Sequence, residues 1–417
     1  MAELQPIFRK AFWSLAASGL LYALFVFALT FPVVQRFALY VHKVNPTRWQ
    51  DVNLVESFGF LKTQVQPFNL ATPDNETLYA WHLLPLHLCK EHEDELHANE
   101  RYGPAEDYTK TSAFKLLAND PNARVVVSFH GNAAHLASAQ RPEIYRQLLG
   151  LSTPSQPVHV FAIDYRGFGL STGSPTEEGL ITDGVALLNY LTAGPFRIPP
   201  SRIVIMGQSL GTAVTAAVAE RFAFGSSDPA AAQPTLKDPE PFAGVILLAS
   251  FSNVPSLIES YSLKGITPPM LSPLSAYPGI KDWAKGHIVD RWDTAARVAR
   301  LSGVTKTGKD HPSPAYAEKG LNMFIVHAAN DVEIPWQEGR RVWAAATGEA
   351  VHDSPGEVVL SKKDSSGPTE VQIWESRSHS DNTVIKRVRW ERVAYGGHNR
   401  VATFSVAALA VLRAFDG

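Results

Sequence analysis

The run Ile203-Val204-Ile205-Met206-Gly207-Gln208-Ser209-Leu210-Gly211-Thr212-Ala213-Val214 constrains this chain more than any other stretch. Residues 203–206 are apolar and mostly β-branched, as a strand covered on both faces requires. Leu210, Val214, Ala217, Val218 and Phe222 then recur at helical spacing. Between strand and helix stands Gly207-x-Ser209-x-Gly211, the sequence form of a nucleophile elbow. So sharp a turn needs residues nearly free of side chain two places either side of the serine. It leaves Ser209 exposed at a helix N-terminus, where backbone N–H groups and the helix dipole favour negative charge. A bland Gly-rich turn with a buried or capping serine has the same pattern, but the flanking strand and apolar helix are the context that marks a nucleophile.

Other strands are expected at 62–70, 77–84, 124–129, 158–163, 244–249, 322–327 and 371–375, with helices at 176–192 and 400–415. Strands alternating with helices predict an α/β fold, a mostly parallel central sheet with helices on both faces. Residues 89–107 and 225–241 read as surface loops, and 302–320 and 348–369 as exposed polar insertions. Within the first, His92 and His97 are five apart rather than four and would not share a helical face, so no zinc motif is formed. Gly167, Gly169 and Gly173 miss dinucleotide spacing by one position and read as a tight turn.

A serine hydroxyl needs a base, and the base needs a third group to fix its tautomer. In open α/β sheets such groups sit on loops at the carboxyl ends of strands. Asp331 follows one strand and is the candidate acid, with Glu333 the nearest substitute and a simple turn or cap aspartate the plain alternative. Two histidines compete as base. His398 follows Gly396-Gly397 before the closing helix, where glycines free the backbone, while His379 lies just beyond the strand at 371–375. His130, His287 and His327 read as turn or core residues. An oxyanion would be held by the N–H of Leu210 and by that of Asn132 in the His130-Gly131-Asn132 turn.

Residues 11–34 carry no charge and contain about a dozen Leu, Phe and Val, contributing roughly −4 to −7 kcal/mol toward membrane insertion. The run exceeds a signal-peptide core and lacks a small-x-small cleavage site, so an uncleaved transmembrane anchor is expected. The chain then divides into a tail at 1–10, the anchor at 11–34, a tether at 35–57 and a catalytic body at 58–417. Arg9 and Lys10 precede the anchor and Arg36, Lys43 and Arg48 follow it, a balance that leans slightly toward a cytosolic body. Asn75-Glu76-Thr77 is a usable glycosylation sequon and weakly favours a luminal one. The net charge of −2 offers no basic patch for nucleic acid, and a lone cysteine, Cys89, excludes an intrachain disulfide.

With these residues placed, the chain resembles the α/β-hydrolase-domain serine hydrolases, especially the membrane-anchored group that cleaves lysophosphatidylserine and monoacylglycerol. The resemblance runs from about Phe58 onward. It is carried by His130-Gly131-Asn132-Ala133, Asp164-Tyr165-Arg166-Gly167-Phe168-Gly169, the elbow, Ser250-Phe251-Ser252-Asn253 and Gly339-Arg340-Arg341. His379-Ser380-Asp381 matches a step that precedes the catalytic histidine in similar members and favours His398. The resemblance implies an α/β-hydrolase fold behind one transmembrane helix, no cofactor or metal, a lipid substrate, and a single-pass protein of the endoplasmic reticulum membrane with a luminal body. Aromatic and aliphatic residues across 254–292, from Tyr261, Leu263 and Ile266 to Trp292, form either a lid with an acyl pocket or a hydrophobic cluster beneath the sheet edge. The expected activity is acyl-ester hydrolysis on single-chain lipids through an acyl-enzyme. The rivals are an acyl-protein thioesterase or peptidase on the same triad, and a catalytically silent interaction module.

Overall fold

The computed structural model describes residues 6–44, 50–98, 101–226, 228, 231–237, 239–261, 270–304, 319–349, 356–364, 367–378 and 380–417. Its strands are β1 (Val65–Ala71), β2 (Thr77–Leu83), β3 (Arg124–Phe129), β4 (Val158–Ile163), β5 (Ile203–Gln208), β6 (Gly244–Leu248), β7 (Leu321–Ala328), β8 (Glu357–Lys363), β9 (Glu370–Arg377) and β10 (Val384–Val393). They form a single sheet in the order β1-β2-β4-β3-β5-β6-β7-β10-β9-β8. From β4 across to β10 each neighbour runs parallel. The pairs at both edges are antiparallel. The elbow strand β5 therefore lies near the middle, and the loops leaving β3, β5, β7 and β10 share one rim.

The helices that concern the site are α1 (Pro6–Ala28), α2 (Pro32–Tyr40), α3 (Arg141–Leu149), α4 (Glu177–Thr192), α5 (Leu210–Phe224), α6 (Val254–Ser260), α7 (Pro278–Gly286), α8 (Thr294–Leu301), α9 (Trp336–Thr347) and α10 (Ser405–Asp416). Alternate residues of each central strand face opposite layers, so both faces must be apolar. Val125, Val127, Ile205 and Leu247 pack with Leu180 and Val185 of α4 and Val214 and Val218 of α5. Val126, Val204, Met206 and Ile246 pack on the other face with Ile144 and Leu148 of α3 and Ala407 and Val411 of α10. Thr176 starts α4 by accepting the Gly179 N–H at 2.9 Å.

Several expectations are corrected. The strand after β7 in the parallel series is β10, which the sequence reading missed; the strand expected last, at 371–375, is the antiparallel β9. β10 buries Lys386, Val388, Trp390 and Arg392 in strict alternation, and its charges find partners: Lys386 Nζ donates to the Leu301 carbonyl at 3.1 Å and Arg392 Nε to the Pro368 carbonyl at 2.6 Å. The insertion at 348–369, expected to be an exposed loop, contains β8. The loop expected at 89–107 contains the helix Glu93–Ala98 and the end of Leu86–Glu91. Most of 302–320 lies outside the described residues, as do Leu263 and Ile266.

The apolar N-terminus does not run unbroken from 11 to 34. α1 ends at Ala28, and Pro32, which has no N–H to donate, opens α2. The described residues of the expected tether at 35–57 touch the body at both ends. Tyr40, at the end of α2, is fully buried, and Phe58 closes a 3₁₀ turn beginning at Val55 with its side chain in the core.

Candidate active site

Ser209 follows β5 with φ 57° and ψ −125°, a conformation that costs a non-glycine residue energy and aims its side chain away from the sheet. The turn works because β5, α5 and β3 touch backbone to backbone. A Cβ on Gly207 would lie 2.1 Å from the Gly211 carbonyl oxygen, and one on Gly211 would lie 2.1 Å from that of Phe129. Ser209 makes no side-chain capping bond to α5. Its Oγ instead lies 2.9 Å from His398 Nε2, and His398 Nδ1 lies 2.9 Å from Asp331 Oδ2. Three groups far apart in sequence thus form one hydrogen-bonded line, and all three are buried.

Each member is held from behind. Asp331 Oδ1 accepts the Glu333 and Ile334 N–H groups, both at 2.9 Å. Its Oδ2 also lies 3.2 Å from His327 Nε2, which is 3.0 Å from the Ile334 carbonyl. Two acceptors around Nε2 place the His327 proton there. Burial alone would raise the Asp331 carboxyl; the hydrogen bonds from His327 and His398 more than reverse this and hold it well below the usual carboxylate range. The base loop is pinned twice: Gly397 N–H donates to Asn330 Oδ1 at 2.8 Å, and Gln208 Nε2 donates to the His398 carbonyl at 2.9 Å. His327, Asn330 and Gln208 were not foreseen in these roles. The positions of Asn330 and Gln208, one residue before the acid and one before the nucleophile, were the only signal available. Glu333 gives the acid loop a backbone N–H, and its carboxylate takes no place in the line. His379 lies outside the described residues. His287 Nδ1 sits 2.8 Å from the Trp283 carbonyl, away from Ser209.

Leu210 and Asn132 border the same cavity as Ser209 and His398, and neither backbone N–H has an acceptor among the described residues. The loop carrying Asn132 is shaped by Arg141, which no local motif singles out. The buried guanidinium of Arg141 donates to the carbonyls of Gly131 at 3.0 Å, Asn132 at 2.9 Å and Ala133 at 3.1 Å, and to that of His135. Because a peptide's C=O and N–H point opposite ways, holding the Gly131 carbonyl on one side turns the Asn132 N–H to the other. His130 is structural: burial first, and Arg141 second, push its imidazole well below the ordinary range, and Nδ1 lies 2.6 Å from the Gly131 carbonyl.

Asp164 supports this loop from beneath by accepting the Leu136 N–H at 2.6 Å. Burial raises its carboxyl to about 7. The unfolded chain loses this proton near pH 3.9 while the folded one keeps it to about 7, so the folded state binds more protons between the two values and stability falls as pH rises through that window. From this group the fall amounts to about 4 kcal/mol. Urea unfolding of the full chain in detergent at pH 5 and pH 8 should therefore show a steeper loss in wild type than in Asp164→Asn. Equal losses would contradict this assignment.

A cavity of about 670 Å³ opens over Ser209. Tyr261, Met270 and Leu271 from the 254–292 segment line it, whereas Tyr277 and Trp283 are exposed and Trp292 is buried in the core. Among the described residues no three His, Cys, Asp or Glu side chains lie together as a metal site would need.

Sheet order, elbow and the rim where the three groups meet define an α/β-hydrolase fold. The chain belongs to the alpha/beta hydrolase family, whose model matches residues 125–410. It is 25% identical over 328 residues to the lysophosphatidylserine lipase ABHD12 of Danio rerio, covering 79% of this chain and 70% of that one. To the protein of the same description from Rattus norvegicus it is 24% identical over 345 residues, covering 81% and 71%. The solved α/β hydrolase of Vibrio vulnificus superposes with a TM-score of 0.52 at 15% identity, over 92% of this chain and 94% of that one.

Proposed function

We propose that this chain is a membrane-anchored serine hydrolase that cleaves acyl esters of single-chain lipids, a lysophospholipid or a monoacylglycerol, through an acyl-enzyme. The observation that carries the reading is the line Asp331–His398–Ser209 at the foot of a mainly apolar cavity. Ser209 Oγ bonds to the ester carbonyl carbon as its proton passes to His398 Nε2. The imidazolium, steadied by Asp331 at Nδ1, returns that proton to the alkoxide as the C–O bond breaks and the alcohol leaves. Water then repeats the sequence on the acyl-enzyme and releases a fatty acid. The Leu210 and Asn132 amides hold the oxyanion in both halves.

Anchoring rests on α1. Its 23 residues reach about 35 Å at 1.5 Å each, enough for a hydrocarbon core about 30 Å thick. Ile7, Phe8, Phe12, Trp13, Leu20 and Leu24 are all exposed along it, which water would penalise and lipid would not. On the resemblance alone, we place the protein in the endoplasmic reticulum membrane. The test is a substrate panel with the full chain in nanodiscs: monoacylglycerol, lysophospholipid, diacyl phospholipid and an acyl-cysteine peptide. Single-chain oxygen esters should be preferred by about tenfold or more in kcat/KM. Preference for the acyl-cysteine peptide would overturn the substrate reading.

A further inference from the structure

The wall of the cavity facing the 254–292 segment is built from the N-terminal helices. Tyr22, Phe25, Val26 and Leu29 of α1 and the residues just beyond it line the cavity, as do Arg36 and Leu39 of α2. The four from α1 and its exit are spaced i, i+3, i+4 and i+7, one helical stripe on which Val26 is buried, Tyr22 and Leu29 are half-buried and Phe25 stays exposed at the edge, whereas Leu20, Leu21, Leu24 and Phe27, which do not line the cavity, are all exposed. The last two turns of α1 therefore present apolar side chains in two directions at once, into the cavity on one side and to open surface on the other.

These helices are fastened to the site rather than merely near it. Tyr22 Oη donates to the Met270 carbonyl at 3.1 Å. Gln35 Nε2 donates to the His287 carbonyl at 2.7 Å, and its Oε1 accepts the Val289 N–H at 3.0 Å. Arg36 Nε pairs with Asp290 Oδ2 at 3.0 Å, and Tyr40 Oη donates to the same oxygen at 2.9 Å. The Tyr40 carbonyl also accepts the Ala133 N–H at 2.9 Å, one residue past Asn132. Beside this junction Phe31, Val33, Phe37, Ile280 and Trp283 are exposed. An apolar rim around an apolar cavity, at the end of a membrane-length helix, fits a lipid surface.

We infer that the acyl chain of the substrate enters sideways from the bilayer along the Tyr22–Leu29 stripe of α1, so that this helix is part of the acyl-binding wall and not only an anchor. The inference rests on the proposed function. A chain that slides between helix and lipid exchanges one apolar environment for another and never crosses water, which a detached lipid would have to do.

The experiment uses full-length protein in nanodiscs and compares turnover of long-chain and four-carbon monoacylglycerols. Val26→Trp and Leu29→Trp fill the wall and should lower the long-to-short ratio by about tenfold or more. Leu20→Trp, on the outward face, should leave it at the wild-type value. An unchanged ratio in the two wall variants, or an equal fall in Leu20→Trp, would overturn the inference. Because a wall variant can fail to fold, the unsubstituted protein provides a second reading. A non-cleavable ether monoacylglycerol with a terminal diazirine should crosslink within residues 22–41, and prior labelling of Ser209 by a long-chain fluorophosphonate should abolish that crosslink. Crosslinking that ignores the prior label would count against the route. If wild type neither labels nor hydrolyses any ester, the proposed function itself fails; if it does both while the wall variants behave as wild type, only the route fails.

Discussion

Ser209→Ala is expected to abolish fluorophosphonate labelling and to lower ester hydrolysis by about 10⁴–10⁶ in kcat. The size follows from what the hydroxyl does and does not touch. It lies 2.9 Å from His398 Nε2 and makes no capping bond to α5, so a structural explanation for a serine here finds no contact to act through. Alanine tolerates the φ of 57° no worse than serine, so the variant should unfold at nearly the same urea concentration as wild type. A folded Ser209→Ala protein that still turned over esters at more than about a hundredth of the wild-type rate would remove the acyl-enzyme on Ser209, whereas a wild type inert toward both probe and esters would leave the silent-module reading standing.

Asp331→Asn is expected to cost about 10³–10⁴ in kcat, or roughly 4–5.5 kcal/mol of transition-state stabilisation, with little change in KM. Oδ2 faces two imidazoles, His398 Nδ1 at 2.9 Å and His327 Nε2 at 3.2 Å, and a carboxylate accepts from both. Oδ1 meanwhile takes two backbone N–H groups, so an asparagine must turn its oxygen toward those donors and its NH₂ toward the histidines. His398 Nδ1 then becomes the acceptor, its proton moves to Nε2, and the lone pair that should take the Ser209 proton is gone. Kinetics of the folded variant check this; a loss under about tenfold would show that another group orients His398.

The parts of the site that obey local rules were readable in advance. An elbow advertises itself because glycine is required at 207 and 211 by backbone contact, and such a requirement leaves a mark in the sequence. Gly396 and Gly397, both at positive φ, likewise marked the loop that delivers His398. What stayed hidden depends on distant partners. β10 reads as a charged, exposed segment because Lys386 and Arg392 are among its inward positions, and only carbonyls elsewhere in the fold make their burial tolerable. Arg141 is an unremarkable residue near a proline until four carbonyls close around it. The break at Pro32 hid within an apolar run because composition measures length and hydropathy, not where α1 stops and α2 docks.

The place of β10 also sets a timetable. It lies between β7 and the β9–β8 edge, so the outer strands cannot join the sheet until it arrives, and the base comes only after it. His398 follows Ser209 by 189 residues, which take about 10–40 s to synthesise at 5–20 residues per second. During that interval the apolar amino-terminal helix has long left the ribosome while the nucleophile still lacks its base. On the proposed function, a nascent chain of this design stays inert toward esters until residue 398 has been made and β10 has been seated.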